Sequence, residues 1–391
     1  MNTTYHALVL NLHQPAGNLQ ELLEYQPWDT EQILFAMDRM PRTLLPYQDI
    51  ARVHLSMSGT LLETLADPEF QQCVYGTVDC GSLLWQLQNK RIFNILGSGY
   101  YHPVLPLIPE ADRKEHLLRW RGIAEHQFWR TDFEGFWPPE MSFSMELIPL
   151  IKQMGYQYVL VDSANVEAVT PMSWTELRYR PHIAKYGDDE IIVVVRDREL
   201  SDAQESGMDY GWFANEVYQR TKDCDFPPLV TTCTDGDNGG WFRNATEGSN
   251  FWSGFYTDLL NAAQASQEAV QPTFIHDYIA EHGVHGEVSV ATAAWNTGWH
   301  DGKEFVQWTG SQAQKDALAR VKQTSLAIQN ASQKATLQPT NSERDFQLEE
   351  AMWHLLRAET SCNFYWGEAW VERCHKDLEI AWGALGQSQS C

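Results

Sequence analysis

Two acidic residues sit in unusual company in this 391-residue chain. The stretch GFWPPEMSFSME (135–146) places Glu140 behind two prolines and beside Phe136 and Trp137, at the entrance to an apolar run. Pro138 and Pro139 restrict the backbone, and the aromatic bulk can fix a side chain or stack on a ligand. A nucleophile needs such a held position, because misplacement is expensive in rate. The plain alternative is a glutamate that interacts with a helix dipole. The second carboxylate, Asp235, opens the run DGDNGGW after an apolar segment, with Asp237 two residues on. An acidic turn or a calcium loop would read similarly, but no Glu closes the twelfth position of a calcium loop. Two carboxylates on different strand ends could act on one bond. At about 5–5.5 Å apart, one attacks an anomeric carbon while the other protonates the leaving oxygen.

Other chemistries find less support. His13 and His102 fit metal ligands, hydrogen-bond donors to a sugar, or ordinary loop histidines, and neither belongs to an HExxH or HxH pattern. His282 and His285, with Glu287 following, are weak evidence for a metal. No metal and no cofactor are expected: GxGxxG and P-loop signatures are absent, and so is the GxSxG elbow of serine hydrolases.

Composition narrows the partners. With 28 basic against 52 acidic residues, the net charge of −24 argues against nucleic acid, an anionic membrane or a polyanionic substrate, and suits a neutral one. The 16 Trp, 15 Tyr and 16 Phe suffice for a core and for an aromatic-lined groove. Seven cysteines form no CxxC pair, so reduced thiols and a cytoplasmic location are the default. The amino terminus has no basic signal-peptide region, and no apolar stretch reaches the roughly 18 residues of a membrane span. Oligomeric state is not legible.

The carrier elements read as α/β. Strands are expected at 5–12, 156–162, 191–197, 228–237 and 288–295, with helices at 28–40, 56–66, 82–95, 112–129 and 143–154. His13, Asp162, Asp197, Asp235 and Trp295 follow those strands, positions that line the active face of a barrel. After about residue 310 the sequence turns helical, so a catalytic domain over 1–310 and a helical domain over 311–391, packed on it, are expected.

Five segments together resemble glycoside hydrolase family 57, whose members act on α-glucans. They are LNLHQPAGN (10–18), GSGYYHPVLPLIP (97–109), FWPPEMSFS (136–144), TDGDNGGW (234–241) and AETSCNFYWG (358–367), in the family order. The resemblance implies a distorted, TIM-like (β/α)7 barrel with a C-terminal helical domain contributing to the cleft. It implies a retaining mechanism with Glu140 as nucleophile and Asp235 as general acid/base. It also implies sugar contacts from His13 and His102, support of the acid motif by Asp237, and an α-glucan or maltooligosaccharide substrate. Trp137, Trp241, Trp295 and Trp366 are candidates for the aromatic wall, and Asn363, in the fifth segment, is a candidate substrate contact, as is Asp237. The chain departs from the family at Asn11, where a histidine is frequent, at Asp237 and Gly239, and at Phe364. An α-amylase-like or 4-α-glucanotransferase-like enzyme is the main expectation. A branching enzyme or a catalytically weak carbohydrate-binding protein are the alternatives.

Overall fold

The computed structural model describes residues 2–246, 248–298 and 303–388; Cys391, one of the seven cysteines, lies outside them. Seven parallel strands form the main path of the nine-stranded central sheet, to which His182–Tyr186 and Gln271–Pro272 add at the sides: β1 (Tyr5–Leu12), β2 (Val53–Met57), β3 (Phe93–Leu96), β4 (Gly135–Phe136), β5 (Tyr158–Asp162), β6 (Asp189–Arg196) and β7 (Leu229–Asp235). They are ordered β3-β2-β1-β7-β6-β5-β4, with helices in the connections. Strands buried on both faces should be continuously apolar, as YVLVD nearly is, whereas VHLSM is fully buried with His54 and Ser56 among its apolar residues.

The two ends of this order meet. The Gly97 N–H donates to the Gly135 carbonyl at 2.9 Å, and the Trp137 N–H donates to the Gly97 carbonyl at 2.8 Å. The result is a distorted, nearly closed parallel barrel. Both glycines are required there: a Cβ on Gly97 would lie 2.2 Å from the Tyr156 ring, and one on Gly135 would lie 2.2 Å from the Tyr158 ring. The distortion lies at β6–β7, where only Arg196 and Thr231 pair. There the Arg196 side chain supplements the ladder, donating through Nε to the Cys233 carbonyl (2.9 Å) and through Nη1 to Asp162 (2.6 Å).

The chain divides into two compact units. The first, residues 1–98, 120–137 and 144–291, holds the barrel strands. The second, residues 99–119, 138–143 and 292–391, is built on helices. α1 (Glu110–Phe128) runs through both segments 99–119 and 120–137. α2 (Gln312–Thr336), α3 (Ser342–Ala358) and α4 (Glu368–Ser388) complete the C-terminal helical region. Ser311 and Gln314 close a capping box on α2, and the Asn341 side chain accepts from two N–H groups of α3. The apolar stripes of these helices enclose Trp308, Val321, Ile328, Leu355, Phe364 and Leu378.

Three expectations are corrected. The helix expected over 82–95 ends at Leu87, and IFNIL instead supplies β3: a short apolar run serves a buried strand as well as a helix. The strand expected over 288–295 covers only Val288–Val290 and pairs antiparallel with Val166–Ala168, outside the barrel, so Trp295 follows no barrel strand. The helix expected from 143 is a 3-10 turn, Met145–Leu147, leading into Ile148–Gln153. Gly97→Ala is expected to lower stability by about 1–3 kcal/mol or more, through overpacking against Tyr156. Urea unfolding checks this, and a midpoint equal to wild type would show that the seam tolerates a side chain.

Candidate functional site

The barrel unit carries Asp235 at the C-terminal end of β7, directly opposite Asn11 of β1 in the parallel register. Asn11 Nδ2 donates to Asp235 Oδ1 at 3.0 Å, and the Gly236 N–H donates to the Asn11 carbonyl at 2.9 Å. Gly236 makes the turn possible, since a Cβ there would come within 2.9 Å of Leu10 Cβ. Asp235 is partly exposed, whereas Asp237 is buried. Gln14 Nε2 donates to Asp237 Oδ2 at 2.9 Å. That amide is oriented from behind, because Asn18 Nδ2 donates into Gln14 Oε1 at 2.8 Å. Arg243 Nε, from the short helix Gly239–Arg243, donates to the Asp237 carbonyl at 2.9 Å.

Desolvation sets the charge states of this cluster. Burial pushes the Asp237 carboxyl up to about 6, against hydrogen bonds from Gln14 and the His13 backbone and the charge of Arg243. His13 keeps part of its surface open, yet desolvation lowers its imidazole to about 3, so it is neutral and can donate or accept. Trp241 is part-buried, its ring over Gly207 and Gly254. Trp137, at the end of β4, is fully buried.

The helical unit carries Glu140. No helix begins there: Pro139–Met141 is a single 3-10 turn in which Glu140 (φ 58°, ψ 17°) and Met141 (φ 46°) are left-handed. The Trp295 N–H donates to the Glu140 carbonyl at 3.1 Å, and Phe143 and Ala293 form an antiparallel bridge beside it. The side chain is 12% exposed. Ser361 Oγ donates to Oε1 at 2.7 Å, Trp295 Nε1 donates to Oε2 at 3.1 Å, and His102 Nδ1 lies 3.6 Å from Oε1. His102, itself left-handed (φ 55°), is buried, and its Nδ1 lies 3.3 Å from Ser361 Oγ. Burial raises the Glu140 carboxyl; the Ser361 and Trp295 hydrogen bonds pull it back.

The fifth segment therefore contributes through Ser361, a residue not singled out in the sequence. No local signal marks it, since its partner lies 221 residues away. Gln14 escaped selection for the same reason, and Asn11 stood out only as a departure from the family pattern. Asn363 turns inward, its Nδ2 donating to the Ala358 carbonyl at 3.0 Å, while Trp366 is 58% exposed and edge-on to Tyr365. His285 pairs with Glu176 at 3.1 Å and His282 packs on Tyr5 and Tyr278, so these two histidines serve different neighbours. Among the described residues no group of His, Cys, Asp and Glu is arranged to hold a metal ion, and no helix is long and apolar enough to cross a membrane.

Replacing Asp237 tests the electrostatics directly. A folded-state value raised above the unfolded one means that the native state binds the proton more tightly. That contribution is fully present at low pH and is lost as pH rises through about 6. Asp237→Asn should therefore gain on the order of 2–3 kcal/mol of stability relative to wild type between about pH 4 and pH 7. Urea titrations of both proteins at several pH values measure this; a difference independent of pH would mean that Asp237 is ionised throughout.

Comparison with known proteins finds a family match for most of the chain. The sequence matches the model described as Glycosyl hydrolase family 57 over residues 7–291. An alpha-amylase of Pyrococcus horikoshii is 27% identical over 196 residues, 48% of this chain and 27% of that protein. The chain thus spans about a quarter of the length of such curated relatives. Among solved structures, the 4-alpha-glucanotransferase of Thermococcus litoralis superposes with a TM-score of 0.65 at 18% identity, covering 100% of this chain and 60% of that one. The branching enzyme of Pyrococcus horikoshii does so with a TM-score of 0.73 at 14% identity, covering 98% and 88%. At those identities the likeness is one of fold.

Proposed function

Because the chain belongs to glycosyl hydrolase family 57, we propose that it is an enzyme of α-glucans that cleaves α-1,4-glucosidic bonds with retention of configuration. In this reading Glu140 is the nucleophile. Its carboxylate attacks the anomeric carbon and the bond to the leaving oxygen breaks, while Asp235 gives that oxygen its proton. Asp235 then takes a proton from the water or sugar hydroxyl that attacks the glycosyl-enzyme ester, and Glu140 is released. Attack by water is hydrolysis; attack by a sugar hydroxyl is transfer. His13 and His102 are assigned to sugar hydroxyls. Trp241, Trp295 and Trp366, each with exposed surface, are assigned to the sugar faces, and the buried Trp137 to their support.

The observation that carries the reading is how Glu140 is held. Two neutral donors, Ser361 and Trp295, fix its two oxygens, and each oxygen keeps a second lone pair. Neutral donors orient a carboxylate and favour its ionised form without the full charge of an arginine or lysine against it. The neutral Asn11 amide on Asp235 Oδ1 likewise orients that carboxyl while leaving it able to take up and return a proton.

Product analysis on maltoheptaose, wild type beside Glu140→Gln, tests this. Wild type should yield shorter α-configured sugars, and Glu140→Gln should lose at least on the order of 10³ in rate. Longer sugars formed alongside would make the enzyme a transferase, and new α-1,6 linkages a branching enzyme. Activity surviving in Glu140→Gln would overturn the nucleophile assignment. Trp295→Phe removes one donor to the carboxylate, so the acidic limb of its pH–rate profile should move to higher pH. An unmoved limb would show that Trp295 does not touch the ionised form.

A further inference from the structure

Behind Glu140, in the helical unit, lies a second set of acidic residues that the proposed reaction does not use. Asp112 and His116 on α1 and Glu359 at the end of α3 are all buried, at 0%, 0% and 1% exposure. His116 Nε2 lies 3.0 Å from Glu359 Oε2, the Tyr101 N–H donates to His116 Nδ1 at 3.4 Å, and Ser325 Oγ of α2 donates to Asp112 Oδ1 at 2.9 Å. The Asp112 and Glu359 carboxyls lie close enough for each to shift the other's affinity for a proton. Their remaining oxygens, Asp112 Oδ2 and Glu359 Oε1, find no donor among the described residues.

One proton completes this arrangement. Two carboxylates can bond each other only if one carries a hydrogen. Placed on Glu359 Oε1, it donates to Asp112 Oδ2. Glu359 Oε2 then accepts from His116 Nε2–H, and His116 Nδ1, bare in that tautomer, accepts from Tyr101. Every atom is satisfied with one shared proton and a neutral histidine. The surroundings agree with that count. Burial and the Asp112 charge raise Glu359 well above the carboxylate range, burial raises Asp112, and burial lowers His116 to about 3. The other titratable groups facing the set are Glu115 and Arg119 on α1, and the Cys374 thiol of α4, which burial pushes up to about 12. Arg119 is engaged with Glu115 and Glu349. No cation among the described residues pairs with Asp112 or Glu359.

Both ends of the network lead to Glu140. Tyr101 precedes His102, 3.6 Å from the Glu140 carboxylate, and Glu359 stands two residues before Ser361, which donates to it. The two segments are further joined by the Ser361 N–H to His102 carbonyl bond (3.0 Å) and the Pro103–Thr360 bridge. We propose that Glu359 is a positioning residue: as a protonated acid it bridges Asp112 and His116, and so locks together the two segments that carry His102 and Ser361 against Glu140. The link to catalysis rests on the α-glucan reading; the link to the geometry of Glu140 does not.

The test separates these. Glu359→Gln replaces the shared proton with an amide N–H that still donates to Asp112, while its oxygen still accepts from His116. It should keep activity within about threefold of wild type, whereas Glu359→Leu should lose on the order of tenfold or more in kcat with KM little changed. The difference infrared spectrum of the full chain near neutral pH, wild type minus Glu359→Gln, should show the carbonyl stretch of a protonated buried acid, which the glutamine variant loses. In crystals of Glu359→Leu, Ser361 Oγ should leave Glu140 Oε1. Should Glu359→Leu fail to fold, Asp112→Asn replaces the same proton from the other side and should also abolish the infrared band with Ser361 in place. The proposal is overturned if wild type lacks the band, if Glu359→Gln falls as far as Glu359→Leu, or if Ser361 Oγ still bonds Glu140 in the leucine variant. Wild type without glucan activity, but with the band present and Ser361 released from Glu140 in the leucine variant, would sink the α-glucan reading and leave the positioning role standing.

Discussion

A glutamate held in the left-handed region costs on the order of 1–3 kcal/mol, and this protein pays it at Glu140, with Met141 next in sequence and His102 nearby in a similar conformation. Such conformations persist only when the neighbours over-determine them. Here they do: the Met141 N–H reaches the Pro138 carbonyl, Ser142 bonds Pro139 through both its N–H and its Oγ, and the Trp295 N–H takes the Glu140 carbonyl. The strained turn projects a carboxylate that a regular helix start would have aimed along the helix face. Much of what surrounds it in the helical unit serves that placement: the 293–295 strip, the Ser361 turn, and behind that turn the buried acids at α1 and α3.

The barrel unit treats its own carboxylates by a different rule. Asp235 and Asp237 are two residues apart and differ in environment, one partly open and bonded to the neutral Asn11 amide, the other buried beneath Gln14. Asp235 ends the strand and Asp237 lies beyond the Gly236 turn, so the chain carries the second carboxyl inward while the first stays partly open. Asp237 is the group whose protonation answers to burial, and its partners hold the turn on which Asp235 rides.

Local chemistry made part of this legible in the sequence. Pro138 and Pro139 before Glu140, the glycines after Asp235, and the apolar runs of β1, β5 and β7 carry their meaning in adjacent residues. The α/β class and the helical tail were readable for the same reason. What escaped was whatever depends on distant partners. IFNIL has a periodicity that suits either element, and only pairing with β2 makes it β3. Ser361, Asn11 and Gln14 are ordinary polar residues until the fold sets them beside Glu140, Asp235 and Asp237. Nothing within a helical turn of Asp112 or Glu359 says that the two meet, since one lies on α1 and the other at the end of α3, far apart in the chain.

The single rung between β6 and β7 has a mechanical meaning. A ring loaded from any side yields at its thinnest joint, and here backbone pairing gives way to one guanidinium that grips Asp162, Asp202 and the Cys233 carbonyl. Compliance of the circle is thereby concentrated at a side chain, and because Arg196 and Asp162 are buried, salt in the solvent screens that grip little.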